Sequence, residues 1–155
     1  MIGVPVTDHP KHSHDRVKVL LSTLWIFAML NYLYADVMSL MDPESLRQFM
    51  TGQIGSVHVT QGFLFGAAVL METAIAMVLL SRILRYRANR LANIIAGALH
   101  TVAVLGSVFA TGSLPKPYYF LFGTVEVACT SFIVWYAWRW RDVTPGGAVR
   151  SPAGR

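Results

Sequence analysis

The chain has 155 residues, of which 54% are hydrophobic and only 14% charged, with a mean hydropathy of +0.48. A soluble domain carries about 25% charged residues, so this composition excludes an ordinary water-soluble globule and points to a chain that lies mostly in lipid. The net charge of +5 does not mark a nucleic-acid binder, because the basic residues gather at the ends of apolar runs, where they set membrane topology.

Residues 1–16, MIGVPVTDHPKHSHDR, read as a polar tail that is disordered at least to Pro10. His9, His12 and His14 lie between Asp8 and Asp15. They make either a weak metal site or, as the default, a solvated tail rich in histidine. The first apolar run is too long for the core of a cleavable signal. It spans residues 17–41, with Arg16 and Lys18 at its start and Asn31, Tyr34 and Asp36 in its second half. Asp42 and Pro43 then suit the cap and first position of a short helix, Pro43 to Met50, with Leu46, Phe49 and Met50 on its apolar side. Gly52 ends it. A helix this short with one apolar face is expected along the membrane surface.

The second span, residues 60–80, covers roughly 30 Å at about 1.5 Å per residue, the thickness of the hydrocarbon core. Gly62 and Gly66 form a GxxxG pair that lets a neighbouring helix approach closely. Glu72 falls near its middle, where an acid costs about 2.5–3.5 kcal/mol or more. The stretch SRILRYRANR follows as an arginine-rich loop. The third span is residues 91–111, slimmed by Ala96, Gly97, Ala103 and Gly106. GSLPKP makes the next turn, and the fourth span is residues 118–138, flanked by tyrosines at one interface and tryptophans at the other. Residues 139–155 are a second tail. With both termini in the cytoplasm, 11 of the 13 basic residues fall inside, leaving only Arg47 and Lys116 outside. The expectation is therefore a multi-pass protein of the inner (plasma) membrane with both ends cytoplasmic.

Three of the eight acids, Asp36, Glu72 and Glu126, fall within spans, and His100 is the one histidine well inside a span. Counting along the helices puts Asn31, Glu72, His100 and Glu126 at one depth. Helical spacing gives inward faces of Asn31, Tyr34 and Met38 on span 1; Phe65, Glu72, Thr73 and Ala76 on span 2; Asn93, Ala96, Gly97, His100, Ala103 and Ser107 on span 3; and Gly123, Glu126 and Thr130 on span 4. A midplane pocket lined by Asn31, Tyr34, Glu72, His100 and Glu126 would exchange protons or hold a small lipophilic or cationic ligand, with Asp36 at its outer rim. The alternative is that these groups only hydrogen-bond across the bundle and hold it together. No catalytic set, metal or cofactor is expected. The one cysteine, Cys129, excludes an internal disulfide, and HExxH, GxSxG and glycine-rich phosphate loops are lacking.

The stretch LNYLYADVMSLMDP, Leu30 to Pro43, resembles the first-span signature of an uncharacterised bacterial family of small four-span membrane proteins, and more distantly the layout is similar to DoxX-like proteins. The resemblance covers roughly residues 20–138 and implies a compact four-helix membrane bundle. For DoxX-type proteins it also implies service as membrane subunits of quinone-dependent redox complexes. The acids of spans 1 and 2 are similar in layout to small four-span sterol-binding and isomerase proteins of the emopamil-binding type. The sequence thus predicts an all-α, integral membrane four-helix bundle with a short interfacial helix between spans 1 and 2. Three functions follow: a proton-coupled carrier or ligand-binding protein working as a homodimer, an accessory subunit of a larger complex, or a membrane enzyme acting on a lipophilic substrate.

Overall fold

The structure, a computed structural model, describes residues 10–110 and 116–141, with the side chains of residues 10–13, 109 and 110 excepted. Among these residues the order is α1 (Pro10–Met41), α2 (Pro43–Met50), a two-stranded hairpin of β1 (Gln53–Ile54) and β2 (Val57–His58), α3 (Gln61–Ile83), α4 (Tyr86–Ala110) and α5 (Pro117–Arg139). Four helices are long and apolar enough to cross a membrane. The protein is an all-α, multi-pass membrane bundle, as its hydropathy requires.

The short α2 forms where the sequence places it. Asp42 caps it, accepting from the Ser45 amide at 3.0 Å, and Pro43 fills a first position that needs no donor. Gly52 follows with φ of +70°, and Gly55 turns the hairpin with φ of +58°. The strands pair Gln53 with His58 and Ile54 with Val57. Thr60 then caps α3 by accepting from the Phe63 amide at 3.1 Å. No residue of α2 is buried, and Met50 is 81% exposed. Lys116, just before α5, pairs with Asp42 and with Glu44 at 2.9 Å, so α2 is tied to the start of α5.

Two boundaries differ from those read off the sequence. Residues 10–16, expected in the tail, are already helix, with Pro10 at the start of α1; residues 1–9 and 142–155 lie outside the described residues. The expected arginine-rich loop is reduced to Leu84 and Arg85 between α3 and α4. Arginine is a good helix former, and its long stem carries the charge to water from a helix end.

Around the bundle the neighbours are α1 with α3, α3 with α4, α4 with α5, and α5 with α1. That leaves α1 facing α4 across the diagonal, in an up-down-up-down arrangement. Among the described side chains of α1, Leu21, Ser22, Trp25, Ala28, Tyr32, Ala35 and Ser39 are buried. Apart from Ser22 they alternate steps of four and three, a heptad seam. The steps recur at Asn89, Asn93, Ala96 and His100 on α4, and at Glu126, Thr130, Ile133 and Ala137 on α5. Between these two helices sits Gly97, where a Cβ would lie 2.8 Å from Val134 Cγ2 and 3.2 Å from the Thr130 carbonyl oxygen.

Candidate functional site

The heptad seams bring polar side chains from all four spans into the core, and they fall in two tiers. Nearer the α3–α4 turn, Asn93 is the hub. Its Oδ1 accepts from Trp25 Nε1 at 2.8 Å and from Ser81 Oγ at 3.3 Å, and its Nδ2 donates to Asn89 Oδ1 at 2.7 Å. Asn89 Nδ2 in turn donates to the Ser81 carbonyl at 2.6 Å, and Ser22 Oγ donates to the Val78 carbonyl at 2.8 Å. Asn89, Asn93 and Ser81 are fully buried. Without water to serve them, such groups must find partners in the protein, and here each does.

The second tier lies nearer the middle of the spans. Tyr32 Oη and His100 Nδ1 are 3.1 Å apart, an α1–α4 contact across the centre. The His100 ring, fully buried, sits 5.3 Å from the Trp25 ring and 5.6 Å from that of Tyr32. Its Nε2 makes no well-formed hydrogen bond, although the Leu70 backbone carbonyl is close enough to act on the ring. Beside this pair, Asn31 Nδ2 donates to Glu126 Oε1 at 3.1 Å and to the Phe122 carbonyl at 3.0 Å. Glu126 is buried and within electrostatic reach of Tyr32 and Asp36. Thr101 and Thr130 hydroxyls meet at 2.7 Å between α4 and α5.

Of the six residues singled out in the sequence, the structure brings Asn31, His100 and Glu126 into this core. The other three stand elsewhere. Tyr34 is 59% exposed on the outer side of α1, and Asp36 is exposed as well. Glu72, the expected centre of the pocket, is exposed on α3. At 100° per residue it lies about 180° round the helix from Ala74, Met77 and Ser81, the buried residues of that helix. The inward faces expected for spans 1 and 2 are therefore corrected. Phe65 is 72% exposed, and the α1 seam runs through Tyr32, 200° from Tyr34. The faces expected for spans 3 and 4 hold. Around His100 the space expected for a pocket is taken by the rings of Trp25 and Tyr32.

Sequence reasoning passed over Trp25, Tyr32, Ser81 and Asn89. The signal that finds the first two is the four-three spacing of Leu21, Trp25, Ala28, Tyr32, Ala35 and Ser39.

Outside the spans, the Asp42 carboxyl is held down to about 2, first by its hydrogen bond from Lys116 and then by those from Ser45. Lys116 is correspondingly held above its ordinary value by Asp42 and Glu44. His14 packs edge-on to Tyr86 with ring centroids 5.7 Å apart, rather than lying in a solvated tail. Among the described residues no three histidine, cysteine or acidic side chains come together as a metal site; His9 and the side chain of His12 lie outside them.

Residues 11–145 match the model of a family of unknown function, DUF6326, and the chain belongs to that family. No curated protein and no solved structure shows significant similarity to it.

Proposed function

We infer that this member of DUF6326 is an assembling membrane subunit, with the outer face of α3 as its contact and a second copy of the chain seated there. The observation that carries this is the place of Glu72. It is the middle residue of a span, on the side directed away from the bundle. Facing acyl chains, the carboxyl would lack every partner, at a cost of about 2.5–3.5 kcal/mol or more. Copies inserted with one topology bring the same residue to the same depth, so a two-fold axis along the membrane normal sets one Glu72 against its image. Two such carboxyls can share a proton and satisfy each other.

The surroundings support close approach. Ala68 and Ala76 lie one turn to either side of Glu72, and both are exposed. Residues 61–69 are exposed on every side of the helix, and a Cβ added at Gly66 would meet nothing within 4 Å. Among the described residues the bundle thus packs nothing against the GxxxG face. The DoxX-like layout belongs to this reading too, as a four-span bundle that serves as a membrane subunit. The arginines at the α3–α4 turn support a cytoplasmic position for that end.

Disulfide trapping in native membranes tests the assembly. In a Cys129→Ser background, Ala68→Cys and Ala76→Cys are expected to give a covalent dimer under mild oxidation. Leu105→Cys and Leu121→Cys, exposed on α4 and α5, are not. Equal trapping at all four positions, or none at residues 68 and 76, overturns the reading.

A second reading rests on the second core tier. The unbonded His100 Nε2, one tyrosine away from the Asn31–Glu126 pair, is the arrangement of a proton-exchanging or small-ligand site, and it keeps the carrier in play. In liposomes, Glu126→Gln would then abolish pH-driven flux while the folded bundle persists; flux equal to that of the unsubstituted protein removes the carrier.

A further inference from the structure

At the arginine-rich end of the bundle a cavity of about 940 Å³ opens between the start of α4 and the end of α5, lined by Tyr86, Arg90, Trp135, Trp138, Arg139 and their neighbours Trp140 and Arg141. Among the described residues its walls hold three guanidinium groups and no carboxylate. An arginine cluster without acidic partners is costly to assemble unless something anionic joins it.

The arginines are also held ready. Arg90 Nη2 donates to the Trp138 carbonyl at 3.1 Å, while its buried Nε has no acceptor among the described residues. Arg139 stacks on the Trp135 ring, 5.3 Å from its centroid. Tyr86 Oη donates to the Trp140 carbonyl at 2.7 Å, which fixes the chain beyond α5 against α4. The cavity therefore has a fixed rim, a buried N–H in want of an oxygen, and two tryptophans that stand half-exposed or more at the level where a span leaves the hydrocarbon.

We propose that this cavity binds the phosphate of an anionic amphiphile, with Arg90, Arg139 and Arg141 on the phosphate oxygens and the apolar chains lying along Trp135 and Trp138. Guanidinium forks match phosphate geometry in pairs, and basic pockets between spans at the membrane surface are suited to acidic lipid headgroups. Tryptophan sits comfortably at the headgroup level. The site is independent of the α3 face and of the second core tier.

The test uses the full chain in neutral detergent, with binding read by native mass spectrometry and by the emission of the cavity tryptophans. The probes are short-chain phosphatidylglycerol, phosphatidylcholine with the same chains, and inorganic phosphate. Phosphatidylglycerol is expected to bind about tenfold more tightly than phosphatidylcholine, and the double substitution Arg139→Gln/Arg141→Gln to weaken it by about tenfold. Both arginines are exposed, so the bundle should survive. The equally exposed pair Arg82→Gln/Arg87→Gln, outside the cavity, should change binding less than about twofold. Competition by millimolar inorganic phosphate would identify a free phosphate as the ligand; its failure to compete would identify the lipid headgroup. Equal binding of the two lipids, or equal losses from the two arginine pairs, overturns the proposal.

Discussion

Replacing Gly97 by alanine tests the tightest contact in the bundle. The added methyl would stand 2.8 Å from Val134 Cγ2, closer than carbon atoms tolerate, and 3.2 Å from the Thr130 carbonyl oxygen. Val134 cannot simply turn away, because a β-branched side chain in a helix has one strongly preferred rotamer. The Thr130 carbonyl is backbone, so the rest of the clash is relieved only by moving α5 off α4. Overpacking of this kind costs about 1–3 kcal/mol. Alanine also has a higher helix propensity than glycine, by about 1 kcal/mol in water. That gain is removed by comparison with Gly106→Ala on the same helix, where a Cβ meets nothing within 4 Å. The difference between the two variants is the clash alone. Unfolding in mixed micelles by increasing mole fraction of dodecyl sulfate reads it directly. Gly97→Ala should fall below Gly106→Ala by about 1–3 kcal/mol, a factor of about 5 to 150 in the folding equilibrium. Equal stability of the two variants would refute the close approach of α4 and α5, and with it the seam that places His100 and Glu126.

The same unfolding assay should find Tyr32→Phe destabilised by about 1–3 kcal/mol, because His100 Nδ1 loses its partner in a dry core, whereas Tyr34→Phe on the outer side of α1 should be near neutral. Trp25→Phe removes one of the two side-chain donors to Asn93 Oδ1 and should cost about 1 kcal/mol. Carbon-detected titration of Asp42 should show a midpoint of about 2. A carboxyl held below its unfolded value contributes stability above pH ~4 and loses it as pH falls through about 2, so the tie between α2 and α5 should persist at pH 3 and Lys116→Met should move the midpoint upward. For the α3 face, trapping at residues 68 and 76 should survive Glu72→Gln, which keeps a hydrogen-bonding pair at mid-depth, and should fall with Glu72→Leu, which removes it.

The four spans, the cap at Asp42 and the stop at Gly52 were all legible, because hydropathy and capping are local properties. The inward faces of α4 and α5 were legible too, since small and polar residues mark one side of each helix. On α3 this logic failed. Its first half is apolar or small all round, so no stripe distinguishes inside from outside, and the cost of leaving an acid in lipid is what points Glu72 inward in the sequence. That cost is met equally well by a neighbour outside the bundle. The inward residues are Ala74, Met77 and Ser81, and Ser81 is the one polar clue to them. On α1 the inward face is read from Asn31 onward to Tyr34 and Met38. Asn31 itself is only half-buried at the seam's edge, so it pointed to the wrong tyrosine. The six-residue run of four-three steps is the stronger signal, being too regular to arise from a single functional group.

The core contacts also bear on where the protein can act. Trp25 to Asn93 and Tyr32 to His100 both cross the diagonal between α1 and α4, one of the two pairs of spans that are not packed side by side. Hydrogen bonds of this length across the centre leave little room between them, and rotating either helix by one residue would break both. Their first consequence is to fix register, a role for which buried polar groups are well attested. With the first tier closed on itself, three polar groups stand out among the described residues: the His100 Nε2, which makes no well-formed hydrogen bond in the core, Glu72 at mid-depth on one outer face, and the buried Arg90 Nε at the basic end. Of these, Glu72 looks outward from the bundle, and the Arg90 Nε is buried beside the cavity at the basic end. The depth of each group agrees with the two proposals: a second copy of the chain against the carboxyl in the hydrocarbon, and a phosphate beside the guanidinium at the interface.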